Sequence, residues 1–198
     1  MMASGLLQAY KNSPFAGNQS YLKGGMEGIC YIYSKTHPDG FIEVNSETDP
    51  IDKRLGLGYG QGSMAMAMHR LGVKEILGET RSTTNIDSFS DDVLICGKPN
   101  QIYTDKGGRQ IGVNKTILIK DYQETGNTQK TIRIVGFNKT EFTFKNMQSS
   151  TTFNISIRDQ SNNLIESKTA DSSADGLLKF NITIDSMVGE NILKIFFQ

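Results

Sequence analysis

The sequence has no tryptophan, only four prolines, two histidines and two cysteines among its 198 residues. Two histidines are too few for a three-histidine zinc site, and no C-x-x-C spacing indicates a zinc ribbon or a redox dithiol. The nucleotide-binding patterns G-x-x-x-x-G-K-[ST] and G-x-G-x-x-G are also missing. The sequence therefore predicts no metal centre and no bound cofactor.

Net charge is missing as well, because 21 Lys and Arg residues balance 21 Asp and Glu residues. There is no basic run to attract nucleic acid and no apolar run of about 18 residues to span a bilayer. The first seven residues lack the basic segment of a signal peptide. We therefore expect no nucleic-acid or membrane partner, synthesis in a cytoplasm, and reduced thiols at Cys30 and Cys96, although the two could pair in an oxidising compartment.

The last third of the sequence is rich in alternating apolar residues. The clearest set is Leu178, Phe180, Ile182 and Ile184. Side chains at every second position share one face of a strand. Turn residues separate the predicted strands, which lie near 116–120, 131–135, 141–145, 152–158, 164–169, 177–185 and 191–197. Seven strands at this spacing are typical of an immunoglobulin-like sandwich, so the predicted fold is mainly β, with a sandwich over residues 101–198.

Two segments of this region resemble a bacterial Ig-like module. They are the turn Ala174-Asp175-Gly176 and the strand opening Gly189-Glu190-Asn191-Ile192-Leu193-Lys194-Ile195. The resemblance covers about 50 to 85 residues and implies adhesion, spacing or display, with no catalytic residues to transfer. Modules of this kind occur in tailed-phage virion proteins and in bacterial surface proteins.

Residues 1–100 are predicted to form an irregular α+β region that anchors the chain in an assembly. A short helix is expected at 3–10, a strand at 29–34, a hairpin turn at 37–40 and a helix at 64–71 that ends at Gly72. For 64–71 a strand remains the alternative, because Met and Ala also alternate there. Glycines scattered through residues 1–28 favour an arm that a neighbouring subunit holds in place.

Aromatic residues in this arm and methionines in the second helix are the predicted subunit contacts. Methionine adapts to irregular surfaces, and the N-terminal region has too few strong apolar runs to close a core of its own. The predicted contact residues are Tyr10, Phe15, Tyr21, Met64, Met66, Met68 and Leu71.

Several polar groups invite a chemical interpretation that their spacing does not support. The glycine run 56–62 fits no phosphate-binding motif, and His37 and His69 have no evident nucleophile or orienting acid. The acids that could bind calcium lack the required spacing, and those that could form a glycosidase pair have no aromatic cleft around them. These acids are Glu79, Asp87, Asp91 and Asp92 for calcium, and Glu43, Glu47, Asp49 and Asp52 for a glycosidase.

The sequence thus favours a non-enzymatic structural protein of a phage virion, attached to the capsid or tail and contacting other virion proteins or copies of itself. One alternative is a glycan-binding or adhesion module of a bacterial surface protein, for which a host-surface glycan is a possible ligand. The other is a hydrolase that uses Asp49, Asp52 and His37.

Overall fold

The chain folds as a layer of helices on one face of a two-sheet β structure. The computed structural model describes residues 2–12, 14, 16–35, 62, 64–78 and 86–197. The glycine run at 56–61, the turn at 37–40 and the acids at 43–52 lie outside these residues. The mainly-β class with a helical N-terminal region is confirmed.

Three helices occupy the described part of the N-terminal region. Helix α1 spans Met2–Asn12, α2 spans Gln19–Ser34, and α3 covers residues 64–71. The helices predicted at 3–10 and 64–71 are confirmed, and α3 ends at Gly72, whose N–H donates to the Met68 carbonyl at 2.9 Å. The Asn18 side chain caps α2 by accepting a hydrogen bond from the Ser20 N–H at 3.0 Å.

The strand predicted at 29–34 is wrong, because these residues form the second half of α2. Read from further upstream, the apolar positions Leu22, Met26, Ile29 and Tyr33 recur every three or four residues, and all four are buried. The six residues of the predicted strand are too few to show this helical period.

The arm predicted at 1–28 is also wrong, because glycines let α1 and α2 pack closely together. A Cβ atom on Gly25 would lie 2.5 Å from Leu7 Cγ, and one on Gly28 would lie 2.8 Å from Ala3 Cβ. Any larger side chain would therefore push the two helices apart. The glycines that favoured an arm held by a neighbouring subunit lie instead in a helix–helix interface.

The described residues form eleven strands in two sheets, and each strand predicted beyond residue 115 is present with small shifts at its ends. The larger sheet has the order β1-β2-β5-β6-β11-β8-β9, and the smaller has the order β10-β7-β4-β3. In chain order the strands are β1 Glu75–Leu77, β2 Val93–Ile95, β3 Tyr103–Thr104, β4 Gln110–Val113, β5 Ile117–Thr125, β6 Gln129–Val135, β7 Lys139–Phe144, β8 Thr152–Asp159, β9 Leu164–Asp171, β10 Leu178–Thr183 and β11 Asn191–Phe197.

Both sheets contribute to one apolar core. In β10 the buried Leu178, Phe180 and Ile182 alternate with exposed polar residues, as predicted. The ring of Phe180 stacks on Phe142 and Phe144 of β7, with centroids 5.6 and 6.0 Å apart. Burying such rings is the main source of stability in a sheet-on-sheet packing.

The position of the last strand, β11, departs from the immunoglobulin strand order. In that order the last strand, G, lies at the end of its sheet beside strand F. Here the last strand, β11, lies between β6 and β8, and both precede it. The larger sheet also takes β1 and β2 from before residue 100. The Ig-like assignment stays a prediction.

A second apolar cluster joins the helices to the outer face of the larger sheet. Ten of its buried members lie between Ala3 and Val73, and the sheet contributes Ile76, Leu94, Leu118 and Val135. The N-terminal region thus closes a core with the help of its own chain. The expectation that it needs another subunit for this purpose is wrong.

At the open edge of the sandwich, side chains of β9 satisfy the backbone of β10. The Lys168 ammonium donates to the Asn181 carbonyl, and the Thr183 N–H donates to the Glu166 carboxylate at 3.0 Å. Both strands lie at the end of their sheet. These bonds occupy backbone groups that an edge strand would otherwise leave open.

Two turn glycines give a matched test of the packing. Gly176 and Gly126 both have positive φ, at 73° and 57°, but only a Cβ on Gly176 would meet backbone, 2.5 Å from the Met147 carbonyl oxygen. Gly126→Ala should lower the free energy of unfolding by about 1–2 kcal/mol through backbone strain alone. Gly176→Ala should lower it further, and equal losses in urea denaturation would contradict this close contact.

Candidate functional site

The predicted contact residues are split between the interior and the surface of the helical layer. Met64 and Leu71 are buried in the helical cluster, and Tyr10 and Met68 pack against it, so these four serve the chain itself. Tyr21 is half-buried, whereas Met66 is 50% exposed. Phe15 lies outside the described residues.

Among the described residues, the helical layer exposes three large apolar side chains, and contacts between its three helices meet at the start of α1. Met2, Tyr31 and Met66 are 82%, 67% and 50% exposed. Gly28 packs on Ala3, which brings the end of α2 to this place, and the Arg70 guanidinium donates to the Ser4 carbonyl at 2.8 Å, which brings α3 there. We call Met2, Tyr31 and Met66 the outer helical surface. Sequence reasoning found one of the three, Met66.

A disulfide joins the helical layer to the larger sheet. Cys30 of α2 is bonded to Cys96, which follows β2, across 66 residues of sequence. The expectation of reduced thiols is therefore wrong. The two residues come together because α2 lies over β2, a contact that no local sequence pattern reveals.

Between the helices and the outer face of the larger sheet lies a cleft of about 350 Å³, which we call the interlayer cleft. That volume falls in the range of small-molecule sites, about 300–1,000 Å³. Seven separate segments of the chain form its walls, so sequence reasoning missed it. Its lining residues are Leu7, Tyr10, Lys11, Gln19, Leu22, Arg70, Leu71, Leu118, Lys120, Val135, Gln160, Gly189 and Glu190.

The walls of the interlayer cleft differ in polarity. Leu7, Leu22, Leu118 and Val135 are all buried and give it an apolar floor. Four charged side chains and the Tyr10 phenol surround this floor. Such a pairing of apolar surface with a few polar groups is typical of sites that bind small organic molecules.

The polar cluster around Asp105 and Arg109, by contrast, has its hydrogen-bonding groups engaged with neighbouring residues of the described chain. The buried Asp105 carboxylate accepts bonds from the Arg109 side chain at 2.5 and 2.6 Å and from the Arg109 N–H at 2.9 Å. Arg109 also donates to the Tyr122 carbonyl at 3.0 Å and lies over the Tyr122 ring. Burial raises the pKa of Tyr122, so its phenol stays neutral. The cluster joins a loop to β5 and serves the fold.

Three of the four acids considered as calcium ligands pair with a lysine. Asp91 pairs with Lys74 at 3.0 Å and Asp92 with Lys120 at 2.7 Å. Asp87 pairs with Lys106, which lowers the pKa of that carboxyl through a hydrogen bond. Glu79 lies outside the described residues. Among those described, no three His, Cys, Asp or Glu side chains are placed to hold a metal ion.

The hydrolase residues Asp49, Asp52 and His37, and likewise Glu43 and Glu47, lie outside the described residues. His69 lies on an exposed position of α3. None of the described helices has the combined length and apolarity that crossing a bilayer requires. No protein-family model matches the chain, and a search of the curated proteins finds no match.

Proposed function

We propose that this chain is a structural component of an assembly that works outside the reducing cytoplasm, with the virion of a tailed bacteriophage as the favoured assembly. The observation that carries the proposal is the Cys30–Cys96 bond. Disulfides persist in oxidising surroundings, which include the surface of a released virion. A bond that fastens a helical layer to a sheet suits a protein that must survive there without repair.

The outer helical surface supports contact with other subunits. Exposed apolar side chains as large as Met2, Tyr31 and Met66 are available for contact with another subunit. Virions repeat one contact many times, so each copy can use the same apolar residues in every symmetric contact. We therefore place the subunit contact on the helical layer and the β structure on the exposed side.

The polar chemistry of the described chain supports a structural role. Its most buried ion pair, between Asp105 and Arg109, is fully engaged by neighbouring groups. Three acids that sequence reasoning considered as metal ligands are paired with lysines. Side chains engaged in this way hold loops and strands together.

Replacing Met66 by glutamate tests the subunit contact. The purified protein should form oligomers that grow with concentration in sedimentation velocity, and Met66→Glu should weaken their association at least tenfold, since it places a charge in an apolar contact. Leu164→Glu is the control, because Leu164 is 54% exposed on β9, away from the helices. A wild-type protein that stays monomeric up to millimolar concentration would overturn self-assembly through this surface.

A bacterial surface protein that binds glycans is the second candidate. Phe196 and Phe197 at the end of β11 are 42% and 53% exposed, and aromatic rings offer flat apolar faces of the kind that line ligand sites. A glycan array distinguishes the two candidates. Hits that disappear with Phe196→Ala would favour the surface protein, and an array without hits would count against it.

A further inference from the structure

Charge in the interlayer cleft is not balanced by the described residues. Three cations, Lys11, Arg70 and Lys120, line it together with one carboxylate, Glu190. Glu190 is already paired with Arg133 at 2.5 Å, and Lys120 with Asp92 at 2.7 Å. Among the described residues, Lys11 and Arg70 have no carboxylate partner. The cleft therefore has an excess of positive charge.

Arg70 is held in place by a neutral group. Its Nη1 donates to the carbonyl and the hydroxyl of Ser4, which is buried in the first turn of α1. A guanidinium carries five N–H donors, so these contacts leave others able to bind an anion. Because the bonds to Ser4 fix the side chain beforehand, an anion would bind without much loss of side-chain entropy.

Lys11 lies on the same face of α1 as the group that holds Arg70. Ser4, Leu7 and Lys11 follow one another at spacings of three and four residues, which is one face of a helix. Seven residues correspond to about 10 Å along the axis, a span that the long flexible Lys11 side chain and an anion bound to the fixed Arg70 can bridge together. One small anion in the cleft can therefore contact both cations.

Buried aliphatic side chains limit what else the ligand can be. Leu7 and Leu22 from the helices face Leu118 and Val135 from the sheet, and all four line the cleft. An inorganic anion would leave this surface in water, whereas an organic body would cover it. The volume of about 350 Å³ restricts that body to a small molecule.

We propose that the interlayer cleft binds a small organic carboxylate, with its charge on Lys11 and Arg70 and its apolar body on Leu118 and Val135. Arginine matches a carboxylate in geometry, since two parallel N–H groups can bond both oxygens. This site is independent of the subunit contact, because it lies beneath the helices. Loss of oligomers would leave it intact.

Titration of the ¹⁵N-labelled protein with hexanoate and with glucuronate tests the proposal. Hexanoate should shift the amide signals of Lys11, Leu118 and Gly189, whereas 1-hexanol and glucose should not. Binding of glucuronate without binding of hexanoate would contradict the apolar body on Leu118 and Val135. Lys11→Gln and Arg70→Gln should each raise Kd about tenfold, equivalent to about 1.4 kcal/mol. The matched control is Lys145→Gln, an exposed lysine outside the cleft lining, which should leave Kd unchanged.

Three outcomes would overturn the site. The first is the absence of cleft shifts with either carboxylate. The second is equal binding of inorganic phosphate, which would show that the apolar floor contributes nothing. The third is an unchanged Kd in Lys11→Gln. That variant decides the matter even if Arg70→Gln fails to fold, because Lys11 is exposed and makes no bond among the described residues.

Discussion

Replacing both Cys30 and Cys96 by serine lowers the free energy of unfolding by about 4 kcal/mol in the loop-entropy account of disulfides. The bond spans 66 residues, and a loop of that length confines the unfolded chain strongly. The loss is large beside the total stability of a domain, about 5–15 kcal/mol. Urea denaturation of the wild type and the double variant measures it directly.

The effect should be concentrated in the helical layer. Among the buried members of the helical cluster, only Ile76, Leu94, Leu118 and Val135 come from the sheet, so few other contacts hold the layer in place. Hydrogen exchange should show that amides of α2 lose more protection than those of β11. The control is wild-type protein with a reductant, which should behave like the double variant, and the reductant should not change the variant further. Equal urea midpoints with and without the disulfide would contradict its role in holding the helical layer on the sheet.

Replacing Asp105 by alanine lowers the free energy of unfolding by about 3–5 kcal/mol, the usual cost of breaking a buried ion pair. The Asp105 side chain is fully buried, and its loss leaves the Arg109 guanidinium with no opposite charge. It also removes the acceptor of two backbone N–H groups, those of Phe89 and Arg109. Unpaired buried donors add to the cost.

Two further variants separate charge burial from simple truncation. Asp105→Ala combined with Arg109→Met should recover part of the loss, because the orphaned charge is then gone. Asp87→Ala removes the partner of Lys106 at the surface and should change the midpoint little, since solvent screens exposed pairs. A result in which Asp87→Ala and Asp105→Ala lower stability equally would contradict the buried role of Asp105.

The strands could be predicted because their pattern is local. In β10 and β11 every second side chain enters the core, and six or seven residues suffice to show it. Helix α2 could not be found in this way, because glycines at 24, 25 and 28 are unfavourable in an isolated helix and become favourable only when α1 lies against them. Tertiary packing, and not local helix propensity, therefore decides the structure of this segment.

The disulfide and the interlayer cleft were beyond prediction for a related reason. Cys30 and Cys96 fit a bonded pair or two free thiols equally well until α2 is placed over β2. The cleft combines Lys11, Arg70 and Glu190, which lie in the first helix, the third helix and the loop before the last strand. Neither feature has a spacing that sequence can reveal, whereas the exposed Met66 was found because it lies on a short regular helix.

The bonds from Lys168 and Glu166 to the backbone of β10 have a consequence for how copies can join. An unsatisfied rim of carbonyl and amide groups invites a strand from another molecule and, by repetition, fibrous aggregation. With the Asn181 carbonyl and the Thr183 N–H occupied, β10 is a poorer template for open-ended growth. Copies of the chain can therefore lie close together on this side with less tendency to fuse into cross-β filaments.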